Sequence, residues 1–149
     1  MVKDTPRYHI LRRKPDPVDV IKQVHRTGGI AIMAHPYLVN EPVCVTAGKM
    51  SRHDYIDRLI GAGLDGIEAS YAYDKTSYDG TLTPEELEAK VRERYSRKVR
   101  IISGGSDYHA DWKKGVRNYR ELGERGLTME EFSRQGALQT ILIPPERIM

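Results

Sequence analysis

Segments with a helical hydrophobic pattern alternate with short β-rich runs along this chain of 149 residues, and this alternation constrains its fold more than any other feature. The clearest run, Ile30 to Ala34, is continuously apolar, too short for a buried helix, and lacks the polar alternation of a half-exposed strand. Two further short strands are predicted at residues 64–70 and 99–102. Strands separated by helices pair in parallel through right-handed crossovers. The sequence therefore predicts an α/β protein in which parallel strands alternate with helices.

The predicted helix starts carry capping residues, which set the order of the elements. Pro17 follows a candidate N-cap and opens an apolar pattern that ends near Gly28. At the other three starts, Ser or Thr is followed three residues later by Asp or Glu. The run "ALQTILI" at residues 137–143 predicts a final strand after the last helix. The predicted N-cap residues are Asp16, Ser51, Thr83 and Thr128.

The composition is that of an ordinary globular protein, with 39% hydrophobic and 30% charged residues. We expect a single domain over residues 1–149, in which residues 1–15 form a poorly structured lead-in because they are polar and interrupted by prolines. The net charge of +3 is spread without long single-sign blocks, so no stable nucleic-acid partner is predicted. No apolar run approaches the ~20 residues that span a bilayer, and the N-terminus carries no signal pattern. These features favour a cytoplasmic protein without a membrane partner.

Polar side chains follow each of the three early strands. His35 comes directly after the first strand, Glu68 lies near the end of the second, and Asp107 and His109 follow the third. Because parallel strands end at the same edge of a sheet, we expect these side chains to meet there. Two imidazoles and a carboxylate are suitable ligands for zinc, manganese or iron. The Gly104-Gly105 pair is expected to form a tight turn that directs Asp107 and His109 back over this edge.

Three segments of the chain, "GGIAIMAHP", "GLDGIEA" and "SGGSDYHA", resemble three motifs of the PHP family, the polymerase and histidinol phosphatase domains, in this order and at these separations. The segments are most similar to those of the stand-alone PHP phosphoesterases, which act on nucleotides and short oligonucleotides. The resemblance therefore implies hydrolysis of a nucleotide or another small phosphoester. The resemblance implies a distorted (β/α)7 barrel that binds divalent metal ions. It also implies that His35, Asp107 and His109 are metal ligands, while Glu68 is either a further ligand or a residue that supports one.

The sequence also departs from the PHP pattern. PHP domains begin with a His-x-His motif and carry further Glu and His ligands before the first of these segments, whereas no two of the five histidines here have that spacing. A complete barrel of this type takes ~200 residues or more. The chain is therefore interpreted as the C-terminal half of a PHP-type barrel, whose other half is either supplied by another chain or has been lost. The expected partner is this N-terminal half or a second copy of the chain. Three ligands do not hold a metal cluster, so we expect weak metal binding and little or no turnover from this chain alone.

Two other functions stay open. A half-barrel exposes strand edges and one side of an apolar core, so the chain could be a non-catalytic interaction module derived from the PHP fold. An amidohydrolase-like enzyme, a different metal-dependent hydrolase, would cleave amides rather than phosphoesters.

Several tyrosines follow the predicted strands and would crowd the same edge. Tyr73 and Tyr108 could stack on a base or sugar of the substrate, with Lys75 reaching a phosphate. The alternative is that these side chains pack the long loops against one another.

Overall fold

Five α-helices and five β-strands form within the part of the chain that the structure, a computed structural model, describes: residues 14–115 and 117–142. The predicted lead-in at residues 1–15 lies outside this part except for its last two residues. None of the helices in these two stretches combines the length and the apolar character that a bilayer crossing requires. The helices are α1 (Pro17–Arg26), α2 (Arg52–Gly61), α3 (Pro84–Tyr95), α4 (Met129–Ser133) and α5 (Gly136–Leu142). The strands are β1 (Ile32–Met33), β2 (Val43–Val45), β3 (Gly48–Met50), β4 (Gly66–Tyr71) and β5 (Ile101–Gly105).

Strands β1, β4 and β5 form a parallel sheet in the order β1-β4-β5, which confirms the predicted α/β fold. In the centre of this sheet, Gly66 pairs with Ile32 on one side and with Ile101 on the other. A Cβ atom at Gly66 would lie 2.8 Å from the Cβ of Ile101, so only glycine allows the strands to approach this closely. The carboxyl ends of all three strands lie along one edge of the sheet, as predicted. Within the described residues the parallel sheet has three strands, and a half-barrel stays a prediction.

The four predicted N-caps are confirmed. Each cap side chain accepts a hydrogen bond from a backbone N–H in the first turn of its helix, which satisfies one of the amides that have no partner inside the helix. In α3 and α4 a glutamate side chain also accepts from the backbone amide of the cap residue, which completes a capping box. The caps are Asp16, Ser51, Thr83 and Thr128.

The apolar core lies between the central strand β4 and the helices α2 and α3. A second cluster joins α1 to α2 through Ile21 and Leu59, both almost fully buried. Apolar contacts with the helices therefore hold the sheet in place, while its carboxyl edge carries the polar residues. The buried side chains of the main cluster are Ile56, Ile67, Ala69, Val91 and Tyr95.

The final strand predicted at residues 137–143 is wrong, because this segment forms α5 as far as Leu142, the last described residue. Alanine, leucine and glutamine are good helix formers, and α5 follows α4 after only two residues. Next to it, the side-chain amide of Gln135 accepts from the Ile102 N–H at 2.8 Å and donates to the Ile102 carbonyl at 2.9 Å. The free edge of β5 thus receives side-chain hydrogen bonds where a further strand would supply backbone ones.

A short antiparallel hairpin, formed by β2 and β3, was not predicted from the sequence. Val43 pairs with Met50 and Val45 pairs with Gly48, which leaves two residues in the turn. The local signal was the glycine at position 48, whose φ of 131° a residue with a side chain rarely adopts. Three-residue strands carry too little alternation to be distinguished from a loop.

The opposite end of the sheet is held by Asp65. Its Oδ2 atom lies 2.7 Å from Nε2 of His25 and accepts the Ala31 N–H at 2.8 Å. Nη1 of Arg100 lies 3.7 Å from the other carboxylate oxygen. Asp65 therefore connects the end of α1 to the start of the sheet, and its contact with His25 gives this histidine a structural role.

Candidate functional site

His35 lies at the carboxyl end of β1. Its left-handed backbone (φ 32°, ψ 63°) turns the chain away from the strand, and its N–H donates to Oε2 of Glu68 at 2.7 Å. The ring centroids of His35 and Tyr71 are 5.2 Å apart. Nδ1 of His35 is buried and has no hydrogen-bond partner among the described residues. Because a buried polar atom without a partner costs free energy, this nitrogen is suited to a ligand that comes from outside the chain.

Glu68 lies on β4 at a point where the register of the pairing with β5 shifts, between Glu68 and Ser70, as it does at a β-bulge. A bulge bends the strand and changes the direction of the side chains beside it. Burial raises the pKa of Glu68 to about 7. The hydrogen bond from the His35 amide lowers this pKa, and the negative charge of Asp107 raises it. The carboxyl group can therefore take up or release a proton near neutral pH.

Asp107 has a left-handed backbone, with φ 51°, and its carboxylate points at two donors. Nη1 of Arg120 donates to Oδ2 of Asp107 at 2.8 Å, and the hydroxyl of Tyr71 donates to the same oxygen at 3.1 Å. Nη1 of Arg120 also donates to the Tyr71 hydroxyl at 3.2 Å, which closes a triangle of three side chains. Burial and the negative charge of Asp107 raise the pKa of Tyr71 to about 12, so its hydroxyl stays protonated and donates. Sequence reasoning missed Arg120, which stands in a polar segment without a motif.

His109 lies beside Asp107 at the surface, with 57% of its side chain exposed. Its Nδ1 is 2.6 Å from the backbone carbonyl oxygen of Asp107 and 3.4 Å from Oδ1 of the same residue. A carbonyl oxygen can only accept, so Nδ1 carries the proton and Nε2 of the neutral ring keeps its lone pair. Metal-binding histidines are commonly oriented by a hydrogen bond of this kind.

The donor chemistry of these side chains suits a divalent cation only in part. The partnerless Nδ1 of His35 and the available Nε2 of His109 favour a metal, but Oδ2 of Asp107 is held by Arg120. Across residues 14–115 and 117–142, no three side chains of the His, Cys, Asp and Glu types are arranged so that they could hold a metal ion. The sheet brings His35, Glu68 and Asp107 to one edge, and the ligand set from the sequence stays a proposal.

The expected glycine turn at Gly104-Gly105 is wrong. Both residues belong to β5 and pair with Ser70 and Tyr71 of β4. A Cβ atom at Gly104 would lie 2.5 Å from the carbonyl oxygen of Arg125, so glycine is needed for a close approach between backbones. The turn comes later, at the left-handed Asp107.

The three residues considered for substrate binding lie in different surroundings. Tyr73 is 1% exposed, and its hydroxyl accepts from the Tyr37 amide at 3.2 Å, which favours the packing role that the sequence left open. Nζ of Lys75 is 2.6 Å from Oε1 of Glu124, so this ammonium already has an anionic partner. Tyr108 is half-buried, and its hydroxyl accepts from Nε1 of Trp112 at 2.9 Å.

Aromatic packing accounts for most of the tyrosines at this edge. Tyr73 contacts Tyr71, Tyr78 and Tyr37 at ring-centroid distances of 4.9, 5.5 and 6.1 Å, all in edge-to-face geometry. Tyr73 packs against the ring of Tyr71 and so fixes the position of the hydroxyl that contacts Asp107.

The fold and the site together define an α/β protein whose polar groups gather at the carboxyl edge of a parallel sheet, the place where α/β proteins bind their ligands. No family model matches the sequence. Over 94 residues, 63% of its length, the chain is 31% identical to the phosphoribosyl 1,2-cyclic phosphate 1,2-diphosphodiesterase of Eggerthella lenta. That match covers 28% of the Eggerthella protein.

The fold is also similar to the crystal structure of a proposed metal-dependent phosphoesterase from Bifidobacterium adolescentis. The TM-score is 0.54 and the sequence identity 23%, over 91% of this chain and 41% of the other. The chain thus spans less than half the length of each of these two proteins. The similarity to the Eggerthella protein agrees with the relationship to phosphoesterases that the resemblance to PHP proteins predicts, and the similarity to the Bifidobacterium structure supports the fold.

Proposed function

We propose that the chain carries part of the active site of a metal-dependent phosphoesterase that acts on small phosphoesters such as nucleotides. The observation that carries this proposal is the meeting of His35, Glu68 and Asp107 at one sheet edge, where Nδ1 of His35 is buried and lacks a partner among the described residues. The similarity to an Eggerthella protein named as a phosphodiesterase supports a phosphoester over an amide as the substrate.

In this proposal His35, Asp107 and His109 hold the metal ion, and Glu68 positions His35 through the backbone amide. A bound Mn²⁺, Zn²⁺ or Fe²⁺ would supply a Lewis acid for the phosphoryl oxygens and an activated water. His109 contributes Nε2, because Nδ1 is committed to a backbone carbonyl.

The substrate contacts that we retain are Tyr108 and Lys75. Tyr108 lies between the two proposed ligands Asp107 and His109 and is half-buried, so its ring can cover one side of a bound substrate. Lys75 would have to break its ion pair with Glu124 in order to bind a phosphate. Because Tyr73 is buried in the aromatic cluster, we leave it out of the substrate site.

An interaction function is favoured by a separate observation. An apolar groove of about 550 Å³ runs between α1 and β1, with Val20, Val24 and Ile32 among the residues that line it. It lies beside an edge strand of the parallel sheet. The occupant we propose is polypeptide that carries the remaining elements of the same fold, because more than half of the Bifidobacterium chain lies outside the match. Weak activity of this chain by itself follows from this proposal.

The test of the phosphoesterase proposal is hydrolysis of bis-p-nitrophenyl phosphate at high protein concentration, with and without Mn²⁺. We expect slow hydrolysis that requires Mn²⁺ and falls by about tenfold or more in His35→Ala, because the metal loses a ligand. His53→Ala is the matched control, since His53 hydrogen-bonds Tyr95 and lies outside the site.

Hydrolysis that persists in chelator, or that His35→Ala leaves unchanged, would contradict the proposal. Cleavage of a p-nitroanilide in place of the phosphodiester would favour an amidohydrolase-like enzyme. The absence of both hydrolysis and Mn²⁺ binding would leave the interaction function as the better account.

A further inference from the structure

A cationic side chain already occupies the carboxylate of Asp107. We propose that Arg120 competes with the divalent metal ion for this carboxylate, so that metal binds only when the Arg120–Asp107 ion pair opens. This inference rests on the proposed function, because it takes Asp107 as a metal ligand. Arg120 thereby becomes a positioning residue that sets the metal affinity of the site.

The contact between the two groups is short and partly shielded from solvent. Nη1 of Arg120 is 2.8 Å from Oδ2 of Asp107, and the exposed fractions of the two side chains are 14% and 34%. The same Nη1 is anchored by the hydroxyl of Tyr71, a residue that is 1% exposed. Charge-assisted hydrogen bonds in such partly buried places are among the stronger ones. A metal ion that binds Oδ2 must therefore break the charge-assisted hydrogen bond between Arg120 and Asp107.

The local charges explain why a cation is needed in this place. Glu68 and Asp107 bring two carboxyl groups to the same sheet edge, close enough for the charge of one to influence the other. Arg120 supplies one positive charge at Asp107, and a divalent ion would supply two. Removing Arg120 leaves the carboxylates without this compensation, which destabilises the folded chain and at the same time raises its attraction for a metal.

The loss of Arg120 thus lowers the stability of the fold but raises its affinity for metal. These opposite changes distinguish competition with the metal from a merely structural role of Arg120. If Arg120 only holds the loop in place, its loss lowers both stability and metal affinity. If Arg120 competes with the metal, its loss lowers the melting temperature without metal but tightens metal binding. Added Mn²⁺ then raises the melting temperature of the variant more than that of the wild type.

The experiment titrates the full chain with Mn²⁺ alone, follows free Mn²⁺ by its EPR signal, and records melting curves in parallel. We expect Arg120→Gln to bind Mn²⁺ about tenfold more tightly than the wild type, because one charge-assisted hydrogen bond no longer has to be broken. Arg120→Lys, which keeps the charge, should lie between the two. The matched control is Arg125→Gln, which breaks the Arg125–Glu85 ion pair in the same segment and leaves Asp107 untouched.

A double-mutant cycle locates the effect. In an Asp107→Asn background, Arg120→Gln should no longer tighten binding, because the contested carboxylate is gone. Equal Mn²⁺ affinity of wild type and Arg120→Gln, or weaker binding by the variant, overturns the inference while the proposed function stands. If neither protein binds Mn²⁺ at millimolar concentration, the inference and the proposed metal site fail together. Should Arg120→Gln not fold, wild-type affinity in Arg120→Lys overturns the inference and tighter binding supports it.

Discussion

Left-handed backbone at residues other than glycine is concentrated around the candidate site. His35, Asp107 and Ala110 have φ values of 32°, 51° and 54°. Such conformations cost on the order of 1 kcal/mol each and persist where the surroundings enforce them. At His35 the constraint is the hydrogen bond from its amide to Glu68, and at Asp107 it is the triangle with Arg120 and Tyr71. The strain therefore serves to present side chains at the sheet edge.

Asp65 provides a prediction of pH dependence. Burial by itself would raise the pKa of Asp65, but the hydrogen bond from the Ala31 amide and the contacts with His25 outweigh burial and hold the pKa below its usual value of 3.8. A depressed pKa gives stability that is present above the unfolded-state value and is lost as the pH falls through the folded-state value. We expect Asp65→Asn to lose about 1–2 kcal/mol at neutral pH and progressively less below pH 4.

Urea denaturation of both proteins from about pH 7 to pH 3 measures this difference. Asp19→Asn is the control, because Asp19 is exposed on α1 and its Oδ1 lies 3.9 Å from Nζ of Lys22. A difference between wild type and Asp65→Asn that does not change with pH would contradict the assignment.

Single residues of the site could be predicted where they follow a strand. His35 and Asp107 are predicted in this way, because the end of a parallel strand fixes where the next side chains lie. Glu68 is predicted from its place near the end of the second strand, and it lies within β4. Arg120 could not be found, since its partner Asp107 is 13 positions earlier and no local pattern relates them. Contacts of this kind depend on how a loop folds back, and hydrophobic periodicity carries no information about that.

At the scale of the elements, caps were predictable and the last element was not. A capping box is a local signal that depends on two residues three positions apart, and all four predicted caps are present. Whether residues 136–142 form a helix or a strand depends on what covers the edge of β5. The side chain of Gln135 takes that place, and a sequence pattern does not reveal this.

A substitution of Gln135 therefore tests how much its hydrogen bonds to β5 stabilise the fold. Gln135→Leu keeps a similar volume but removes both hydrogen bonds to Ile102, so we expect a loss of about 1–3 kcal/mol in the free energy of unfolding. Gln139→Leu, in which the lost hydrogen bond is to an exposed carbonyl, is the matched control. Urea denaturation of the two variants gives the comparison, and equal stability would show that the β5 edge does not depend on Gln135.

At the scale of the whole molecule, the described residues leave the apolar surface of the groove between α1 and β1 uncovered. Val20 on its rim is 42% exposed. We propose that in the isolated chain a second copy covers this surface. We expect the purified chain to form dimers at high micromolar concentration, and Val20→Glu to shift it towards the monomer, because a carboxylate in the groove would be desolvated in the dimer.

Light scattering after size-exclusion chromatography measures this equilibrium. Leu122→Glu is the control, since Leu122 is 80% exposed and is not among the groove residues. A wild-type chain that stays monomeric at these concentrations would count against the groove as a docking surface.

The central position of β4 gives the members of the site unequal rigidity. Glu68 lies on a strand that has a paired neighbour on each side, whereas His35 and Asp107 follow the edge strands β1 and β5. Local opening begins where few contacts hold the backbone, so a transient separation of β1 moves His35 and leaves Glu68 in place. The fold can therefore displace one side chain of the candidate site at a time, without unfolding the central strand β4.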